Sequence, residues 1–289
     1  MNGTFFSGWK QSEHVVLFIH SFLGETKMDS VQDFVQMFQF DESKAFNVGV
    51  ERESFLCSMD TNVVVPEAYT AYKVLRQSSL AQHFTPELSA CQIEYRTSPV
   101  LLPLLQIQLE ELDKELQRLL STVGLYGDYI ELAPDSIPTA VYPNQRGKDV
   151  SERLTKETLL AACRVAGTHV HVGMPDLETA ILVYNHVIKH LKRLIQLGDF
   201  SAGERLRLYM LVAGSPFQGM LGGVEHFYSI AIQEQFAANP RDWWALVRIS
   251  VHGTIEFRPF GSVASADTIV NWASYCHYLC LEALAAKAA

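Results

Sequence analysis

Four short segments of this 289-residue chain carry polar or ionisable side chains two positions apart. Glu51 and Glu53 lie in VGVERESFL (48–56), and Glu94 lies between Gln92 and Arg96 in CQIEYRT (91–97). His169 and His171 lie in THVHVG (168–173), and Glu256 and Arg258 in GTIEFRPF (253–260). Residues i and i+2 leave a strand on the same side, so each segment, if extended, presents a paired polar face. Any one such face is ordinarily a half-solvated strand, and a lone histidine is ordinarily a hydrogen-bonded structural residue. The conjunction argues for more: acids, imidazoles and an arginine recur on strand-like segments, none of which contains Lys. Carboxylates crowded on one face repel each other unless cations neutralise them. An oxygen-rich set with an imidazole suits Mg²⁺ or Mn²⁺, whereas Zn²⁺ would take more His or Cys.

The opposite faces of these segments carry Val50, Ile93, Val170, Val172, Ile255 and Phe257, which need a core. Helices to build it are legible from periodicity. Leu105, Leu109, Leu112, Leu116 and Leu119 form one face of a helix over 101–120. Ile181, Tyr184, Ile188, Leu191 and Ile195 do the same over 177–197, and a third helix spans 267–286, capped by Ser265 or Asp267. The pattern predicts an α+β fold: a largely antiparallel sheet, apolar on one side and backed by helices, with ionisable residues on the other.

Composition narrows the function. The formal net charge is −9 with 48% hydrophobic and 19% charged residues. There is no basic stripe for a nucleic-acid backbone, and the apolar content excludes a largely disordered chain. The best candidate for a membrane span, 15–23, is interrupted by His20 and Ser21 and falls short of the roughly 20 residues required. It also lacks the basic start and cleavage site of a signal peptide, so neither membrane nor export is expected. Cys57, Cys91, Cys163, Cys276 and Cys280 contain no C-x-x-C pair and read as buried reduced thiols in a cytoplasmic protein. No Walker loop, no G-x-G-x-x-G after a strand and no H-E-x-x-H is present. VVLFIHSFLG (15–24) faintly suggests a hydrolase oxyanion segment, but no G-x-S-x-G follows it. His252, beside Gly253, reads as a loop residue.

In order, GVERESFL (49–56), QIEYRTSP (92–99), GTHVHVGMPD (167–176) and GTIEFRPF (253–260) resemble the carboxylate–amine ligases of the glutamate–cysteine ligase type 2 family. The shared motif order is E-x-E, Q-x-E, H-x-H, E-x-R, that of the glutamine synthetase-like superfamily. The resemblance covers roughly 47–217, including SPF at 215–217, and 244–284. It leaves 1–46 as an N-terminal segment of unknown role and makes 47–289 a single ligase-like catalytic domain.

This resemblance implies a curved sheet whose concave face binds ATP and Mg²⁺ (or Mn²⁺). It implies that a glutamate-like carboxylate is phosphorylated and that an amine then displaces phosphate, forming an amide of which the γ-glutamyl bond is the namesake case. Carried onto this sequence, it makes Glu51, Glu53 and Glu94 metal ligands, with Glu87 a fourth carboxylate. His169 would ligate metal and His171 would contact nucleotide phosphate. Glu256 would hold the metal nearest the γ-phosphate, and Arg258 would steady the transferring phosphoryl group; these two are the expected catalytic residues. Arg96 and Thr97 lie close enough in sequence to reach substrate. Family habit adds a homodimer. Two other readings stay open: a metal-dependent hydrolase using the same acids and histidines without ATP, and an inactive nucleotide- or metabolite-binding homologue.

Overall fold

A computed structural model describes residues 30–288, so the apolar run at 15–23 lies outside the described residues. The described chain opens with helix α1 (Val31–Gln36), where the Ser30 hydroxyl accepts the Asp33 N–H as an N-cap. Strand β1 (Val48–Ser58), helix α2 (Ala68–Leu75), the short β2 (Phe84–Pro86) and β3 (Gln92–Arg96) follow. Next come helix α3 (Leu105–Ser121), β4 (Leu125–Asp128), α4 (Gln145–Arg153), α5 (Lys156–Arg164) and β5 (Gly167–Gly173). Helices α6 (Leu177–Val187), α7 (Leu191–Gly198), α8 (Glu204–Ala213) and α9 (Val224–Gln233) precede strands β6 (Val247–Ser250) and β7 (Thr254–Gly261). Helix α10 (Ala266–Ala288) closes the described chain, with the Ser265 hydroxyl accepting the Thr268 N–H.

All four motif segments are strands of one seven-stranded sheet in the order β2-β3-β1-β5-β7-β6, with β4 paired to the far end of β1. Every pairing is antiparallel and the sheet is open, as the α+β expectation required. The residues expected to face a core do so: Val50, Ile93, Val170, Val172, Ile255 and Phe257 are all buried. They belong to one hydrophobic cluster with the Leu face of α3 and with Ile181 and Tyr184 of α6 and Ile269, Trp272 and Cys276 of α10. The β6–β7 hairpin turns at Gly253, whose φ is +68°. A Cβ there would stand 2.8 Å from Phe40 Cα, so glycine serves both the turn and the close packing of residues 39–40.

Two expected helices differ in detail. Leu102–Leu104 forms a 3₁₀ turn before α3 begins, with Pro103 in its first residues. The helix expected over 177–197 is broken into α6 and α7 by a 3₁₀ turn at Ile188–His190. Its apolar stripe runs on across the turn, so hydrophobic periodicity does not register the local tightening from i−4 to i−3 bonding. Residues 30–46 pack onto the rest of the fold. Phe34 is fully buried with its ring edge-on to Phe227 of α9, and the Phe46 N–H donates to the Gly173 carbonyl. All five cysteines are buried and unpaired. No helix among the described residues is long and apolar enough to cross a membrane.

Candidate active site

Strand register assembles the polar face. Glu53 stands opposite Glu94 across β1 and β3, Glu51 stands opposite His169 across β1 and β5, and His171 stands opposite Glu256 across β5 and β7. Two candidate metal-ligand groups result. Glu51, His169 and Glu256 each offer one ligand atom within 4.8 Å of the others, and so do Glu53, Glu87 and Glu94. His169 links the groups: its Nδ1 is 3.1 Å from Glu51 Oε2 and its Nε2 is 3.8 Å from Glu53 Oε1. His171 Nδ1 is 2.9 Å from the Thr254 hydroxyl, and its buried Nε2, 3.7 Å from Glu51 Oε2, has no hydrogen-bond partner. The fold therefore brings together all six acids and histidines that the sequence nominates for metal, with Glu87 entering from just beyond β2.

The charge pattern of this face has local causes. Burial, with Glu87 nearby, pushes the Glu53 carboxyl up to about 8. Glu94 is raised well above the carboxylate range by burial and by Glu51 and Glu87. Burial also works against ionised Glu51, but His171 and His169 outweigh it and hold that carboxyl well below its ordinary value. Glu256 is likewise held low against its burial by Arg248 and Arg258. Burial and the neighbouring Arg258 depress His169 to about 4, keeping it in the neutral form that ligates metals. His171 is raised, because Glu256 and Glu51 overcome its burial.

This donor set fits a divalent cation. Glu53, Glu87 and Glu94 are like charges crowded in a largely buried place, where two of them resist ionising together. A hard cation would remove that conflict, and the partnerless His171 Nε2 leaves a further polar atom for a ligand.

Other side chains enter the site that the motifs did not reveal. Arg248 on β6 grips Glu256 with two hydrogen bonds, 2.7 Å from Nε and 3.1 Å from Nη2. Arg258 Nη1 also donates to Glu256, and its Nε donates to the Tyr209 hydroxyl at 3.0 Å. Arg205 of α8 is buried between the Pro259 carbonyl, to which it donates, and Glu131, 3.7 Å away. Only Arg248 carried a local signal: a lone cation between Val247 and Ile249 in a short apolar run. Arg96 is half-exposed with its Nε 3.4 Å from Glu94. Thr97 accepts the Val50 N–H, and the Gln92 amide donates to the Val165 carbonyl, so both are committed to the sheet. A cleft of about 480 Å³ is lined in part by Tyr129, Glu131, Phe200 and Ser262, and by none of the six candidate metal ligands. The Ser262 hydroxyl donates to the Glu53 carbonyl at 2.5 Å, tying the cleft wall to the metal-ligand strand.

No family model matches the chain. It is 23% identical over 263 residues to "Putative glutamate–cysteine ligase 2" of Polaromonas naphthalenivorans, covering 83% of this chain and 67% of the relative. It is 31% identical over 173 residues to the protein of the same name from Paracoccus denitrificans, covering 56% of this chain and 44% of that one. Among solved structures it is similar to a bifunctional glutathione synthetase from Pasteurella multocida, with a TM-score of 0.57 at 15% identity. That likeness, which covers 88% of this chain and 39% of the other, is one of fold. The chain thus spans from under half to about two thirds of the proteins it matches. The resemblance carried by the four motifs is supported by these relatives.

Proposed function

We infer that this chain belongs with the carboxylate–amine ligases of the glutamate–cysteine ligase type 2 kind, and that it joins a glutamate-like carboxylate to an amine in an ATP-dependent reaction. The observation that carries this reading is the convergence of two acid-rich ligand groups, bridged by His169, on one face of an antiparallel sheet. Glu51, His169 and Glu256 would hold one divalent cation, and Glu53, Glu87 and Glu94 another. Mg²⁺ or Mn²⁺ bound there supplies the positive charge that lets a triphosphate approach a carboxylate.

The chain's own residues do the rest. Arg258, fixed by Glu256 and Tyr209, offers rigid and permanently charged donors to a transferring phosphoryl group. Arg248 keeps Glu256 anionic and stops its carboxylate from swinging. His171 Nε2 faces the same space and can meet a phosphate oxygen. The substrate carboxylate takes the γ-phosphoryl group and ADP leaves; the amine then attacks the acyl carbon, and inorganic phosphate departs. The buried, unpaired thiols suit a reducing cytoplasm.

The test is calorimetric titration of ATP with Mg²⁺ and with EDTA, for wild type beside Glu53→Gln and His169→Ala. Binding that requires Mg²⁺ and weakens at least tenfold in both variants, about 1.4 kcal/mol, is the expected result. A panel of carboxylates and amines is then screened for ADP release. Folded protein that binds no ATP with Mg²⁺ would sink the ligase reading, and metal-dependent turnover without ATP would replace it with a hydrolase.

A further inference from the structure

On helices that back the apolar side of the sheet stands a third candidate ligand group, made of His186, His190 and Glu282. His186 is the penultimate residue of α6 and His190 ends the 3₁₀ turn that follows, so the two imidazoles lie one turn apart, 5.2 Å between ring centroids. Glu282 reaches them from α10, which packs along α6. His186 Nε2 is 2.9 Å from Glu282 Oε2, and one ligand atom from each of the three residues falls within 4.8 Å of the others. The other carboxylate oxygen of Glu282 accepts the Tyr278 hydroxyl at 2.8 Å, which turns Oε2 toward the histidines. All three ligand residues are half-buried, so solvent ions can enter.

We propose that His186, His190 and Glu282 form a binding site for a borderline transition-metal ion, Zn²⁺ by its chemistry, bridging α6 and α10. Two imidazoles and one carboxylate are a zinc donor set with a fourth position left for water, and they discriminate against Mg²⁺, which prefers oxygen. Zinc ligands at about 2.0–2.1 Å in a tetrahedron stand roughly 3.3 Å apart. The 2.9 Å between His186 and Glu282 therefore needs only a few tenths of an ångström of adjustment. Tyr278 acts as the outer partner that orients the ligating carboxylate. This site shares no residue with the sheet face and does not depend on the ligase reading.

The experiment is competition of Zn²⁺ against a chromophoric chelator, in excess Mg²⁺ to occupy the acid-rich face. Wild type is compared with His190→Ala, Glu282→Gln and the double variant Glu53→Gln/His169→Ala. Wild type should hold one Zn²⁺ that Mg²⁺ does not displace, and Co²⁺ in its place should give the intense visible bands of a tetrahedral site. His190→Ala and Glu282→Gln should each weaken Zn²⁺ at least tenfold and lose the Co²⁺ bands with the far-ultraviolet circular dichroism unchanged. The double variant on the sheet face should bind as wild type does. Absence of such an ion from wild type, undiminished binding in His190→Ala, or loss confined to the sheet-face variant would overturn the proposal.

Discussion

Glu53 sits where three acids meet, and its carboxyl ionises near 8 in the fold against an ordinary 4.5. The folded state therefore holds this proton more tightly than the unfolded chain does. Stability is favoured below about 4.5 and is lost as the pH rises through about 8. In metal-free protein, Glu53→Gln should gain stability over wild type across that window, and saturating Mg²⁺ should abolish the difference; urea midpoints at several pH values measure both. Arg248 makes the complementary case. Arg248→Ala leaves Glu256 buried with one cation fewer and should cost about 3 kcal/mol in denaturant unfolding. The sequence made the motif residues legible because a period of two is visible in a single strand. Arg248 escaped because its partner is assigned by the pairing of β6 with β7. Arg52 was missed for another reason: flanked by Glu51 and Glu53, it points to the core side. There it is buried, with its guanidinium 3.4 Å from the centre of the Tyr129 ring and a donor to the Val263 and Ala264 carbonyls.

Among elements, long helices and alternating strands were readable, whereas β2, β4 and β6 are only three or four residues long and offer too few positions for a period. What joins elements is harder still to read from one chain. Gly198 at the end of α7 lies against β7, where a Cβ would overlap the Phe260 ring and stand 2.7 Å from its Cα. Gly198→Ala should push α7 off β7 and cost about 1–3 kcal/mol. Because Arg258 is two residues from Phe260, Mg²⁺-dependent ATP affinity should fall with it. Loss of stability at full affinity would show that the sheet face is insulated from α7. In the core, Leu116→Ala on α3 removes a fully buried side chain and should cost about 2–5 kcal/mol, with no change in metal affinity.

For the molecule as a whole, ligand binding and folding are linked through the sheet. If Mg²⁺ and ATP bind only the folded state, a ligand at a hundred times its Kd should add about 2.7 kcal/mol. Thermal unfolding should rise with both together, and EDTA should remove the gain; an unchanged midpoint would place the ligands elsewhere or nowhere. The whole-molecule signal legible in the sequence was the order of the four strands, not their neighbours, since β3, β1, β5 and β7 become adjacent only through long-range pairing.

That adjacency has a consequence for how errors are caught. A strand that pairs one residue out of step turns Val50 or Val170 to solvent in the same movement that turns Glu51 or His169 inward. A molecule with a scrambled site is therefore also a molecule with an exposed core. Proteases and chaperones that patrol for apolar surface would remove it without any means of sensing chemistry. Cellular quality control, acting only on greasiness, thereby inspects the ligand geometry as well.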